Sequence, residues 1–150
     1  MATFTSHSPE ETTALGEAWG RAAQPGWTIG LTGDLGAGKT QLIRGLARGL
    51  GIEGRIQSPT FALVHEHRDG RLPLAHLDLY RLDTPAQIIG AGLEEYFRQP
   101  GGVTVVEWCE RWPAFLDPSP AIGRGTFLRR VNIAQTGETQ RLITYEDFGH

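Results

Sequence analysis

The sequence predicts an α/β domain in three layers, helices around a mixed, partly antiparallel sheet. Three observations predict it. Helical patterns alternate with short β-forming runs. One run, Val103-Thr104-Val105-Val106, is nearly continuous in β-formers, as a strand covered on both faces requires. Two turn signals, Asp69-Gly70 and Thr136-Gly137, each sit between β-forming arms and imply hairpins. A length of 150 residues fits one domain, residues 1–150, with a core of its own.

The elements follow in order. Ser8 suits a helix N-cap, Pro9 the first helical position, and Glu11 completes S-x-x-E. Leu15, Trp19 and Ala22 then share one helical face, and Pro25-Gly26 ends the helix. Residues 27–31 read as a strand, and Gly33 to Lys39 as a glycine-rich turn into a second helix. The stripe of that helix is Ile43, Leu46, Ala47 and Leu50, with Gly51 as its stop. Phe61 to His67 and Leu72 to Leu79 form the arms of the first hairpin, and Pro73 argues for a sheet edge there. Short helices are expected after Asp83 and over Leu93 to Phe97. Phe127 to Ile133 and Arg141 to Tyr145 form the C-terminal hairpin.

Composition excludes several classes. Hydrophobic residues at 39% and charged residues at 21% fit neither a disordered acidic chain nor a coiled coil. No run approaches the roughly 18 apolar residues of a membrane span. MATFTSHSPEE has no secretion-signal pattern, and the single cysteine, Cys109, fits a reducing compartment, so a cytoplasmic protein without a membrane partner is expected. A net charge of −3 argues against gripping nucleic acid over a broad basic surface. Of the 14 basic residues, Lys39 alone is lysine.

Lys39 closes the strongest motif. Gly33-Asp34-Leu35-Gly36-Ala37-Gly38-Lys39-Thr40 matches G-x-x-x-x-G-K-[ST], between a predicted strand and an amphipathic helix. Glycines let backbone N–H groups converge on phosphate oxygens, and the helix start adds its partial positive charge. Lys39 supplies a mobile charge for the β- and γ-phosphates, and the Thr40 hydroxyl a ligand for Mg²⁺. The fold class is therefore that of a P-loop NTPase-like domain.

Such a site needs a carboxylate for Mg²⁺. Glu107 ends the apolar run, and Asp78 lies in His76-Leu77-Asp78-Leu79-Tyr80-Arg81. The expected burial of the Val103 strand beside the P-loop strand gives Glu107 the metal role. Asp78 is left to position water or the γ-phosphate, though the two roles can exchange. Thr60, in Ser58-Pro59-Thr60, occupies the place of a γ-phosphate-sensing switch threonine. Trp108, next to Glu107, lines the nucleotide pocket or a partner surface. His65, His67 and His76 fall on one hairpin face, lack zinc-ligand geometry and read as a solvated polar face. Cys109 reads as structural.

With Lys39 the only lysine, no N/T-K-x-D guanine reader exists, so ATP is favoured over GTP. Arg124, Arg129 and Arg130 flank a predicted hairpin, and no arginine can be assigned as a finger. Turnover by the chain alone should be slow, and a completing partner is implied. Small-molecule kinase and nucleotide-sensing adaptor are the alternative readings.

Five segments occur together: GDLGAGKT at Gly33 to Thr40, SPTFALV at Ser58 to Val64, HLDLYRL at His76 to Leu82, GLEEYF at Gly92 to Phe97, and VVEW at Val105 to Trp108. In that order and spacing the chain resembles the TsaE (YjeE) family, ATPases of bacterial tRNA threonylcarbamoyladenosine biosynthesis, over roughly Ser8 to Leu116. The resemblance implies ATP and Mg²⁺ on Gly33 to Gln41, with Thr40 and Glu107 as metal ligands, Thr60 as switch and Asp78 as catalytic acid. It also implies binding to TsaB and TsaD, contact with tRNA only through that complex, and hydrolysis that resets the complex between turnovers.

Overall fold

The computed structural model describes residues 2–33, 38–53, 64–79, 101–108 and 127–149. They build a seven-stranded mixed sheet and two helices: β1 (Ala2–Ser6), α1 (Pro9–Ala22), β2 (Trp27–Gly33), α2 (Lys39–Gly49), β3 (Val64–His67), β4 (Leu74–Asp78), β5 (Val103–Glu107), β6 (Phe127–Gln135) and β7 (Arg141–Gly149). The strand order is β1-β7-β6-β2-β5-β4-β3. β2 runs parallel to both β5 and β6, and β4 parallel to β5; β3, β7 and β1 add antiparallel pairs at the flanks. The expected helices after Asp83 and over Leu93 to Phe97 lie outside the described residues. Among the described residues no helix is long and apolar enough to cross a membrane.

The local signals for α1 hold at its start. Ser8 is extended and its Oγ accepts from the Glu11 N–H at 3.1 Å. The reciprocal half of the capping box is displaced by one residue: the Glu11 carboxylate accepts from the His7 N–H at 2.6 Å. The buried face differs from the predicted stripe. Ala22 is exposed, Leu15 is half-buried, and Thr12, Gly16, Trp19, Gly20 and Ala23 face inward.

Glycines set that face. A Cβ on Gly16 would lie 2.2 Å from the Leu42 carbonyl oxygen and one on Gly20 2.3 Å from that of Leu46. In return, a Cβ on Gly45 would lie 2.0 Å from the Thr13 carbonyl oxygen and one on Gly49 2.2 Å from that of Glu17. The two helices thus touch backbone to backbone through paired G-x-x-x-G spacings, and only hydrogen fits between them. α2 ends as its sequence predicts. Gly51 has φ +79, the Gly51 N–H donates to Arg48 and the Ile52 N–H to Ala47, a Schellman closure.

α1 and α2 cover one face of the sheet. Ile29, Leu31, Val103, Val105, Val131, Ile133 and Ile143 are buried there with Trp19, Leu42, Ile43, Leu46 and Leu50. On the other face Thr28, Leu77, Thr104, Val106 and Leu128 are buried as well, so β5 is enclosed on both sides, as its composition predicts.

Three expectations about the sheet are corrected. β4 is an internal strand, and Pro73 stands just before it, where its carbonyl accepts from the Val103 N–H at 2.8 Å. A proline before the first ladder position removes no donor from the ladder. The C-terminal hairpin is longer than predicted and docks β6 directly against β2. A strand precedes α1 where no element was predicted.

Candidate functional site

Because β2 has a parallel neighbour on each side, chain connections leave it in both directions. In open α/β sheets such a switch point leaves a crevice at the carboxyl ends of the strands. Gly33, Asp78 and Glu107 stand at those ends.

Gly33 has φ +141, and a Cβ there would lie 2.4 Å from the Ile133 carbonyl oxygen, so no other residue suits this exit from β2. Gly38 caps α2 in the left-handed region, φ +108 and ψ 12, without a side-chain cap. No acidic residue occupies the first turn of α2. Asp34, Leu35, Gly36 and Ala37 lie outside the described residues, as do Thr60, Cys109 and Arg124.

Lys39 opens α2 and is 5% exposed. Its Nζ donates to the Gly33 carbonyl at 2.6 Å and lies 3.6 Å from the centre of the Trp108 ring. The ammonium thus bridges the two described ends of the glycine turn and rests on the residue after Glu107. Trp108 has φ +60, the one positive φ of a non-glycine residue among the described residues. That conformation costs about 1–2 kcal/mol, and it occurs where the indole meets Lys39. Strand-forming composition gave no hint of it.

Glu107 pairs in register with Leu31 of β2 on one side and Asp78 of β4 on the other, so both candidate carboxylates share one sheet face. Glu107 is buried at 4% exposure, whereas Asp78 is half-buried. Glu107 Oε2 meets His76 Nε2 at 2.7 Å, and His76 is fully buried. The expectation of a solvated histidine face is therefore corrected: the register His65↔His76 places the histidines together, but on the face that continues into the core. Burial, then the neighbouring His76 and His65, hold His67 below the ordinary histidine value, with Asp69 acting in the opposite direction.

Thr40 and Gln41 follow Lys39 in the first turn of α2. Beside Gly38 and Gln41 a small cleft is lined by Ser8, Pro9 and Thr12 from the α1 start and by Thr139 and Arg141 from the β6–β7 hairpin. Neither of those flanking segments was singled out by the motif. Arg129 stands on β6 near the opposite, N-terminal end of β2, paired with Asp147.

The architecture defines a small mixed-sheet α/β domain with a glycine-flanked helix start at the exit of its central strand. A family model described as threonylcarbamoyl adenosine biosynthesis protein TsaE matches residues 6–143, and the chain belongs to the TsaE family. The match runs well past Leu116, where the motif resemblance ended. A TsaE of tRNA threonylcarbamoyladenosine biosynthesis from Bacillus subtilis is 38% identical over 143 residues, 95% of this chain and 84% of that protein. One from Synechocystis is 55% identical over 91 residues, 59% of this chain; that match spans little more than half of the relative, 57%. The crystal structure of Bacillus subtilis YdiB aligns over 99% of this chain and 86% of its own, with a TM-score of 0.76 and 34% identity.

Proposed function

We propose that this chain is a magnesium-dependent ATPase of the cytoplasmic bacterial machinery that makes threonylcarbamoyladenosine beside the tRNA anticodon. Family membership supports the biosynthetic role. The observation that carries the ATPase reading is the near-complete burial of Lys39, the only lysine, at a glycine-flanked helix start one strand from a buried carboxylate.

Gly33 and Gly38, with Asp34, Leu35, Gly36 and Ala37 between them, would wrap the phosphates with backbone N–H groups, and Lys39 would neutralise the β- and γ-phosphates. Thr40 and Gln41 complete the first turn. An all-oxygen donor set suits Mg²⁺: the Thr40 hydroxyl, and a Glu107 carboxylate oriented through one oxygen. When bound, Mg²⁺ would offset charge on the β- and γ-phosphate oxygens. Asp78, half-buried beside Glu107, would position the attacking water, with Thr60 sensing the γ-phosphate. Trp108 would line the pocket and seat the Lys39 ammonium.

TsaB and TsaD are the proposed partners, and tRNA would be reached only through them. Calorimetry should register Mg-ATP uptake by the isolated chain. Phosphate release should be slow alone and rise when TsaB and TsaD are added. Absence of uptake overturns the ATPase reading. A rate indifferent to the pair overturns the accessory role.

A further inference from the structure

We infer that His76 is a positioning residue for Glu107, holding one carboxylate oxygen and leaving the other for the cation that accompanies the nucleotide. The inference rests on the Mg-ATP reading and deepens it.

The geometry is specific. β4 and β5 are parallel neighbours, and Asp78 lies opposite Glu107 in their register. His76 stands two residues before Asp78 on the same face, and its Nε2 reaches Glu107 Oε2 at 2.7 Å. Both side chains are withdrawn from water, at 0% and 5% exposure. A carboxylate that holds a cation only accepts hydrogen bonds, so Nε2 must carry the proton. Among the described residues the buried Nδ1 has no hydrogen-bond partner.

Packing alone does not account for this choice. The neighbouring β4 positions Leu74 and Leu77 are equally buried. Leucine fills such positions without polar atoms, while an imidazole with an unpartnered nitrogen loses hydration there. The bond to Glu107 offsets that loss only if the carboxylate has to stay deep in the site in one orientation. Outer hydrogen bonds of this type fix the direction of a metal-ligating group.

The test measures Mg²⁺ affinity calorimetrically in chain saturated with a non-hydrolysable ATP analogue, with circular dichroism melts confirming the fold. His76→Leu should weaken Mg²⁺ binding by about 10–100-fold. His76→Gln, whose amide nitrogen can stand near the place of Nε2, should restore most of it. His76→Asn, whose amide nitrogen stands near the place of Nδ1, should not. In a Glu107→Gln background, His76→Leu should have no further effect. Wild-type affinity in His76→Leu, equal behaviour of the glutamine and asparagine variants, or an undiminished effect in the Glu107→Gln background overturns the inference. The glutamine–asparagine contrast decides the matter if the leucine variant fails to fold. Failure of the underlying reading looks different: the wild-type chain takes up no Mg-nucleotide, or Glu107→Gln binds Mg²⁺ unchanged, and the inference falls with it.

Discussion

Two cations at opposite ends of β2 rest on aromatic rings, and they are held in different ways. At the N-terminal end the Arg129 guanidinium lies 4.7 Å from the Tyr145 ring, 4.8 Å from Trp19, 5.4 Å from Trp27 and 5.5 Å from Phe127. It is also clamped by Asp147 through Nε–Oδ1 at 2.7 Å and Nη2–Oδ2 at 3.0 Å. At the C-terminal end Lys39 lies on Trp108 and donates to a backbone carbonyl. A planar fork matched to a carboxylate from the adjacent strand ties β6 to β7. An ammonium on a flexible stem can trade a neutral carbonyl for a phosphate oxygen. The same pairing of charge and ring serves cohesion at one end and, in the proposed function, exchange of ligands at the other.

The sharpest way to break that contrast is at Lys39. Lys39→Ala should lower ATP turnover by on the order of 100-fold or more and abolish calorimetric Mg-ATP uptake, with the melting temperature little changed. A variant that melts early yet still binds nucleotide would make Lys39 the structural cation and reverse the comparison.

Next in size is the support beneath the cradle. A Cβ on Gly45 has no room against α1, so Gly45→Ala must separate the helices and should destabilise by about 1–3 kcal/mol. Calorimetric melting should show a drop of roughly 2–4 °C per kcal/mol. Gly101, with nothing within 4 Å of an added Cβ among the described residues, is the control: Gly101→Ala should leave the melt unchanged or raise it slightly. An unchanged melt for Gly45→Ala would mean that backbone contact does not seat α2.

What was legible in the sequence divides along the same line. The α2 start at Lys39, the α1 cap, the α2 stripe and the enclosed β5 are local patterns, and each was readable because its cause lies within a few residues. The docking of β6 against β2 was not, because strand partner choice depends on surfaces far apart in sequence. His76 was read as solvated because period-2 spacing tells which residues share a face, not whether that face continues into the core. The α1–α2 contact had a visible signal, Gly16–Gly20 and Gly45–Gly49 at spacing four. An apolar side-chain stripe does not register it, because glycine has no side chain to pack. Of the site, Gly33, Gly38, Lys39 and Glu107 fall where the motif and the β5 pattern put them, whereas the left-handed Trp108 had no local cause to read.

Arg129→Lys sharpens the other end of the comparison. The charge stays, but the two-point clamp on Asp147 and the stacking of a flat cation among four rings are lost. Asp147 is substantially exposed, so screening limits the clamp and the expected loss is about 1 kcal/mol. Nucleotide affinity should not move. A change in affinity without a change in melting would place Arg129 in the site.

The smallest expected effect lies on β3, flanking the buried histidine. His67 is held below the ordinary histidine value in the folded chain, mainly by burial and then by His76 and His65. Below about pH 6.5 the unfolded chain therefore takes up a proton at this position more readily than the folded one. The stability contribution of His67 is present above that pH and is lost as the pH falls toward the lowered folded value, where the loss levels off. His67→Gln, neutral throughout, removes this dependence. Melting curves of the two proteins between pH 8 and 5 should therefore diverge only on the acid side, with the wild-type chain falling faster by an amount that is small because the ring is only partly buried. Parallel curves would show that His67 titrates alike in the folded and unfolded chains, and that the desolvated core ends at β4.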